Sequence, residues 1–286
     1  MKLQRQKTGS VGCPSCGEWV DVNAAQCPKC SHPQPGYLGY YRFIQSLNAE
    51  VFAKIFLWFC GGLFLISILL DYTKVNFLPS FNFLSVSNKA LVLLGAGGAL
   101  PIFKWGNWWA VFSASLLHGS FFHIAFNFMW LCQLAPLINK FFGFSRLISI
   151  FVLTGAIGAF ATAFAGEHFT GFLQGSQLSI GASTSVFGFF GVLIAAGQQS
   201  GSKVLRDNIW LWALIGFASG FLIPNVDNWG HFGGFAGGYL LAITKVFNYK
   251  QKENIYDYIF AGFLMLVSVV SVFASVYLGL FVWKVF

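Results

Sequence analysis

Apolar runs close to twenty residues long recur along the chain, and polar positions are confined to the breaks between them. A helix needs roughly 20 apolar residues to cross a hydrocarbon core about 30 Å thick. The pattern therefore predicts an all-α polytopic membrane protein. Seven spans are expected, at 52–71, 118–138, 147–165, 182–198, 209–224, 229–247 and 258–280. The fifth and sixth are divided by little more than PNVDNW. Residues 1–35 are polar and cysteine-bearing, and predict a separate small module. Residues 36–51, rich in Tyr with Arg42 among them, suit an interfacial linker to the first span. A core over 52–247 then holds six spans, and 248–286 adds a polar loop and a seventh helix. No apolar stretch followed by a small-residue cleavage site stands in the first forty residues, so no cleaved leader is expected.

Composition sharpens this picture. The chain is 56% hydrophobic and only 9% charged, against roughly 25% charged in a soluble domain. A net charge of +8 is a reason to ask about nucleic acid. The basic residues, however, fall in the breaks between spans, where they orient a protein in the bilayer; no nucleic acid partner is expected. Lys2, Arg5, Lys7, Lys29 and Arg42 precede the first span, Lys140 and Arg146 flank the second connection, Lys203 and Arg206 lie in the fourth, and Lys245, Lys250 and Lys252 in the sixth. The alternate connections are poorer in positive charge. This predicts a cytoplasmic N-terminus and an external C-terminus, with a bacterial inner membrane as the expected location.

That orientation starts spans two, four and six on the outer side. His118, His123 and Asn127 open the second, Ser183 the fourth and His231 the sixth. Polar groups inside spans are costly and usually functional, and here three separate helices bring theirs to one depth. His123 and Asn127 are four apart and share a helical face. Ser183 precedes the run VFGFFGVLIAA, so the free N–H groups of a helix start lie beside its hydroxyl. His231, Gly234 and Gly238 form one stripe, and small residues let helix backbones approach closely. A serine hydroxyl needs a base within about 3 Å to act as a nucleophile, and close packing of spans four and six would supply it. Three imidazoles, His118, His123 and His231, could instead hold zinc, but no carboxylate supports that set.

The N-terminal stretch CPSCGEWVDVNAAQCPKC carries two C-P-x-C knuckles. Cys13, Cys16, Cys27 and Cys30 can close a tetrahedral site, each knuckle giving two ligands. In a cytoplasmic setting structural disulfides are disfavoured, so a zinc ribbon holding a structural Zn2+ is expected. Such a ribbon could bind a cytoplasmic protein partner or cap the N-terminus; its sequence does not choose. No phosphate-cradling glycine loop is found.

Taken in order, GNWWAVFSASLLHGSFFHIAFN, TGAIGAF, GAST around Ser183 and HFGGFAGG from His231 resemble the rhomboid intramembrane serine proteases. The resemblance covers about 105–238. It implies a six-helix core with a seventh helix appended, and no catalytic cofactor. It also implies a serine endopeptidase acting on transmembrane-helix protein substrates through a Ser–His dyad. By motif, the nucleophile falls on Ser183, the general base on His231, oxyanion donors on His123 and Asn127, and support of the outer loop on His118. The chain departs from the family pattern at Thr184, where glycine is usual, at Ala110, where arginine is common, and at Asn139, where glutamate is often seen. A catalytically inactive rhomboid-like protein that binds membrane helices for quality control is the alternative. A membrane transporter is a more remote one, and the chain shows no convincing internal repeat of the kind such folds often have.

Overall fold

The computed structural model describes residues 3–78, 80, 82–223, 226–244, 246–247 and 249–281. Lys2 and Lys245, counted above for orientation, lie outside these residues, as does position 224, the end of the predicted fifth span. The chain opens with an antiparallel hairpin of β1 (Ser10–Gly12) and β2 (Trp19–Asp21). A short helix α1 (Tyr41–Gln45) leads to α2 (Ala49–Leu70). Short helices α3 (Asn88–Leu93) and α4 (Ala110–Ser113) precede α5 (Phe121–Phe142), α6 (Phe144–His168), α7 (Ser183–Ser200), α8 (Lys203–Leu222), α9 (Asn228–Ile243) and α10 (Ile255–Phe281).

Local sequence sets these boundaries. Asn48 accepts hydrogen bonds from the Glu50 and Val51 N–H groups and so starts α2. Ser120, Ser202 and Asp227 cap α5, α8 and α9 in the same way. Each satisfies N–H donors that a helix start leaves unpaired. Because Ser120 is the cap, α5 begins at Phe121, and His118 stands before the helix rather than inside the predicted span 118–138. The sixth predicted span, 229–247, is shorter in the structure, Asn228–Ile243.

Four helices, α2, α5, α6 and α10, are long and apolar enough to cross a membrane. Their outward residues, such as Leu57, Trp58, Leu69, Phe263 and Phe273, are exposed and apolar, as a lipid-facing surface requires. The protein is a largely helical, multi-pass membrane protein with a small N-terminal hairpin. Helices α7, α8 and α9 do not meet the same length and composition test, for a physical reason in the case of α7. Thr184 to Gly197 of α7 are all buried, packed against α5, α6, α8 and α9. A helix surrounded by protein can carry Ser, Thr, Gly and Ala without facing lipid.

The long first connection is built, not loose. Gly97 and Ser179 exchange backbone hydrogen bonds at 2.9 Å in both directions, which ties the segment before α4 to the strand-like approach to Ser183. α10 packs on α3, α4 and α6, and Trp109 donates to Ser275 Oγ at 3.1 Å. Nothing in the hydrophobic pattern foretold these two ties.

Candidate active site

Ser183, His231 and His123 come from three helices and meet near one end of the bundle, with Asn127 one turn along α5 from His123. Ser183 is the first residue of α7, and no side chain caps that helix. Its leading N–H groups are therefore not used by the helix itself. His231 lies one turn into α9 and is buried. Its Nε2 stands 2.9 Å from Ser183 Oγ, a normal hydrogen-bond separation. The two elements reach this distance because glycines line their contact. A methyl on Gly234 would overlap the Thr184 carbonyl, and one on Gly238 the Gly188 carbonyl. Phe187, one turn beyond Ser183, stacks on the His231 ring with centroids 4.1 Å apart and planes 14° from parallel. That contact was not read from the sequence, although the spacing of four from Ser183 puts both on one face of α7.

His123 lies in the first turn of α5. Its Nδ1 accepts from the Gly119 N–H at 3.3 Å, which leaves the Nε2 side to carry the proton in a neutral ring. Nε2 faces Gly181, whose φ is +119°, a conformation open to glycine and few other residues. A methyl at Gly181 would lie 2.5 Å from His123 Nε2 and 3.6 Å from Ser183 Oγ. The bare glycine thus keeps a small space between hydroxyl and imidazole. Asn127 is buried below His123 and donates from Nδ2 to the His123 carbonyl at 2.8 Å. His118 packs edge-on against both Phe56 and His123, so it holds the ring behind the site and does not reach Ser183.

Thr184 lies in the interface of α6 and α9, not over the serine. Its hydroxyl pairs with Ser115 Oγ at 3.2 Å, and Gly158 and Gly230 make room for its side chain. Asp227, the nearby acid, is occupied: it accepts from Ser179 Oγ and, at 2.9 Å, from the Gly230 N–H. Its role as cap and tie was missed, though an Asp just ahead of an apolar helical run is a recognisable cap signal.

The family model for the rhomboid domain matches residues 105–248, half of the chain. The chain belongs to the rhomboid family. Among its relatives, the rhomboid protease GluP of Bacillus subtilis is 30% identical over 58% of this chain and 31% of its own length. RHOMBOID-like protein 5 of Arabidopsis thaliana is 29% identical over 49% of this chain and 44% of its own. The putative rhomboid protease YdcA of Bacillus subtilis is 29% identical over 53% of this chain and 72% of its own. The chain spans less than half the length of the first two. All the site residues described above fall within the rhomboid match, while the cysteine module and α10 lie outside it.

Outside the match, Cys13, Cys16, Cys27 and Cys30 bring their sulfurs within 4.8 Å of one another. The Cys13–Cys30 and Cys16–Cys27 separations are both 3.6 Å. Four thiolates at the usual zinc–sulfur length would stand about 3.8 Å apart, so the cluster has the size and donor set of a metal site. The backbone N–H of His32 draws the Cys30 thiol down to about 7.

Proposed function

We propose that this rhomboid-family protein is an intramembrane serine endopeptidase, with Ser183 as nucleophile and His231 as general base. The observation that carries this reading is the 2.9 Å contact between Ser183 Oγ and His231 Nε2. His231 takes the hydroxyl proton as Ser183 attacks the scissile carbonyl, then returns it to the leaving amine. The carbonyl oxygen takes up charge in the space beside Gly181. There the His123 Nε2–H, the remaining Asn127 amide proton and the N–H groups at the start of α7 can donate to it. Water, deprotonated by the same histidine, then releases the acyl group; it enters from the outer side, which the helix starts face. The substrates are transmembrane helices of other proteins, locally unwound to expose one peptide bond. The core has six spans, with α10 as a seventh. Labelling of Ser183 by a fluorophosphonate, together with cleavage of a single-span reporter in liposomes, tests the whole reading. An unlabelled and inactive wild type would favour the helix-binding, non-catalytic alternative. Against that alternative, Thr184 is turned into the α6–α9 interface and leaves the serine open.

Asn127→Ala tests the oxyanion assignment. One such donor is worth roughly 10²–10³ in rate in a soluble serine protease. Asn127 commits one amide proton to His123, and two other donors remain, so we expect the low end of that range or less. Steady-state cleavage rates, with folding checked by thermal melt, decide it. A rate equal to wild type removes Asn127 from the site.

The charge pattern sets the expected orientation, N-terminus in the cytoplasm and C-terminus outside. A cysteine at the exposed Gln174 position should react with an impermeant maleimide in intact cells. Reaction only after lysis would reverse the orientation.

The cysteine module is proposed to be a zinc ribbon. One equivalent of zinc is expected per chain. Fresh protein with four intact thiols and no bound metal would rule the ribbon out.

A further inference from the structure

The start of α6 is a structural problem that the rhomboid core does not solve by itself. α5 ends at Phe142, and α6 begins after the single residue Gly143. Phe144, Ser145, Arg146 and Leu147 are buried. The N–H groups of a first helical turn have no acceptor within the helix, and no cap side chain serves them, since the cap position is Gly143. Buried donors of this kind must be paired. The acceptor arrives from beyond the matched core. Glu253, on the connection between α9 and α10, receives the Phe144 N–H at 3.0 Å on Oε2 and the Ser145 N–H at 2.6 Å on Oε1. The Arg146 N–H at 3.2 Å and the Ser145 hydroxyl also donate to Oε1. A carboxylate at a helix start also gains from the helix dipole.

The surroundings are built around this carboxylate. Any side chain on Gly143 would overlap it, and Gly143 has φ +90°. The Tyr258 hydroxyl donates to Oε2 at 3.1 Å. The Tyr37 hydroxyl, from the N-terminal side of the chain, donates to the Glu253 carbonyl at 3.1 Å, and its ring meets Tyr258 edge-on. Next to it, buried Arg146 forms a two-pronged pair with Asp257 at 3.1 and 3.0 Å and donates to the Gln251 carbonyl at 2.7 Å. Residues from before α1 and after α9 thus close over the first turn of α6.

α6 in turn backs the site. The Ser185 hydroxyl of α7 donates to the Phe151 carbonyl of α6 at 2.7 Å. Gly155 faces Ser115 and Ser185, and Gly158 lies against Thr184 and the Gly230 carbonyl. Ser183 and His231 sit on the two helices that α6 supports, α7 and α9.

We propose that Glu253, held by Tyr37 and Tyr258, is a positioning residue for Ser183 and His231, acting through the first turn of α6. The kinetic side of this proposal rests on the proteolytic reading; its structural side does not. The experiment combines hydrogen exchange on the full-length protein in lipid nanodiscs with kinetics normalised to the number of active sites titrated by a fluorophosphonate. The variants are Glu253→Ala, Glu253→Gln and Tyr37→Phe. In Glu253→Ala, the amides of residues 144–148 should exchange at least about tenfold faster, because local opening is what their pairing prevents. Turnover per titrated site should fall about tenfold with KM within about twofold, since displaced groups lose rate rather than binding. Glu253→Gln, which keeps an acceptor oxygen, should recover part of both effects, and Tyr37→Phe should show them weakly. Unchanged exchange at 144–148 in Glu253→Ala overturns the proposal. So does faster exchange with unchanged turnover per titrated site, which would make Glu253 a cap and nothing more. If Glu253→Ala does not fold, the same two measurements on Glu253→Gln decide the matter in the same way. A wild type with neither labelling nor cleavage sinks the proteolytic reading and the kinetic half with it, while exchange still decides the cap.

Discussion

Ser183→Ala is expected to abolish cleavage of a single-span reporter, by roughly 10⁴-fold or more, while the melting temperature stays close to wild type. The substitution removes one hydroxyl and no bulk, and the residue lies at a helix start where alanine is well tolerated. What disappears is the only oxygen within hydrogen-bond distance of His231 Nε2 among the described residues. His231→Ala should be equally inactive but less stable. Its ring is buried and stacks on Phe187, so truncation leaves a gap, at a cost of the order of 2–4 kcal/mol for a side chain of this size. The two variants are therefore distinguishable: equal loss of turnover, unequal loss of stability. Reporter cleavage in liposomes and thermal melts measure both. A well-folded Ser183→Ala that still cleaves would end the assignment of the nucleophile.

Gly234→Ala should be nearly as damaging, through geometry and not chemistry. A methyl there would run into the Thr184 carbonyl, which is backbone and cannot swing aside. α9 must move away from α7 by a substantial fraction of an ångström or more, and that movement lengthens the Ser183–His231 contact directly. A misplacement near 1 Å can cost about 10²-fold in rate, and we expect at least that loss, with a lowered melting temperature. Gly262→Ala is the control. A methyl at Gly262 meets nothing within 4 Å, and in a helix Ala is favoured over Gly by about 1 kcal/mol. That variant should be as active and at least as stable as wild type. Equal behaviour of the two variants would mean that the glycine stripe does not set the distance between the helices.

Much of this was legible in the chain itself. The apolar runs marked α2, α5, α6 and α10 because each faces lipid along part of its surface, and lipid exposure writes itself into hydropathy. The motifs around Ser183 and His231 were visible because a hydroxyl and an imidazole stand out where apolar runs begin. α7 is different. Its apolar run reads as a span at 182–198, but it is surrounded by protein and selected for fit, so its Ser, Thr and Gly positions dilute the hydropathy that lipid exposure gives the other four. Thr184 could be read as a departure from the family pattern, but its direction could not: only the space left by Gly158 and Gly230 fixes where its side chain goes. His118 was placed inside a helix by the apolar run, and the Ser120 cap puts it outside.

The sequence by itself determined a multi-pass helical membrane protein, the membership of residues 105–248 in the rhomboid family, and a four-cysteine cluster set apart from it. It also determined which side chains could do chemistry, since hydroxyl, imidazole and thiol groups are properties of residues and not of folds. The tertiary structure decided what lies between them. The 2.9 Å separation of Ser183 and His231 depends on two helix backbones meeting at glycines. The space beside Gly181 depends on a positive φ. The pairing of Glu253 with the start of α6 joins residues 109 positions apart. Such contacts leave no local periodicity, because each is fixed by the three-dimensional path of segments distant in the chain.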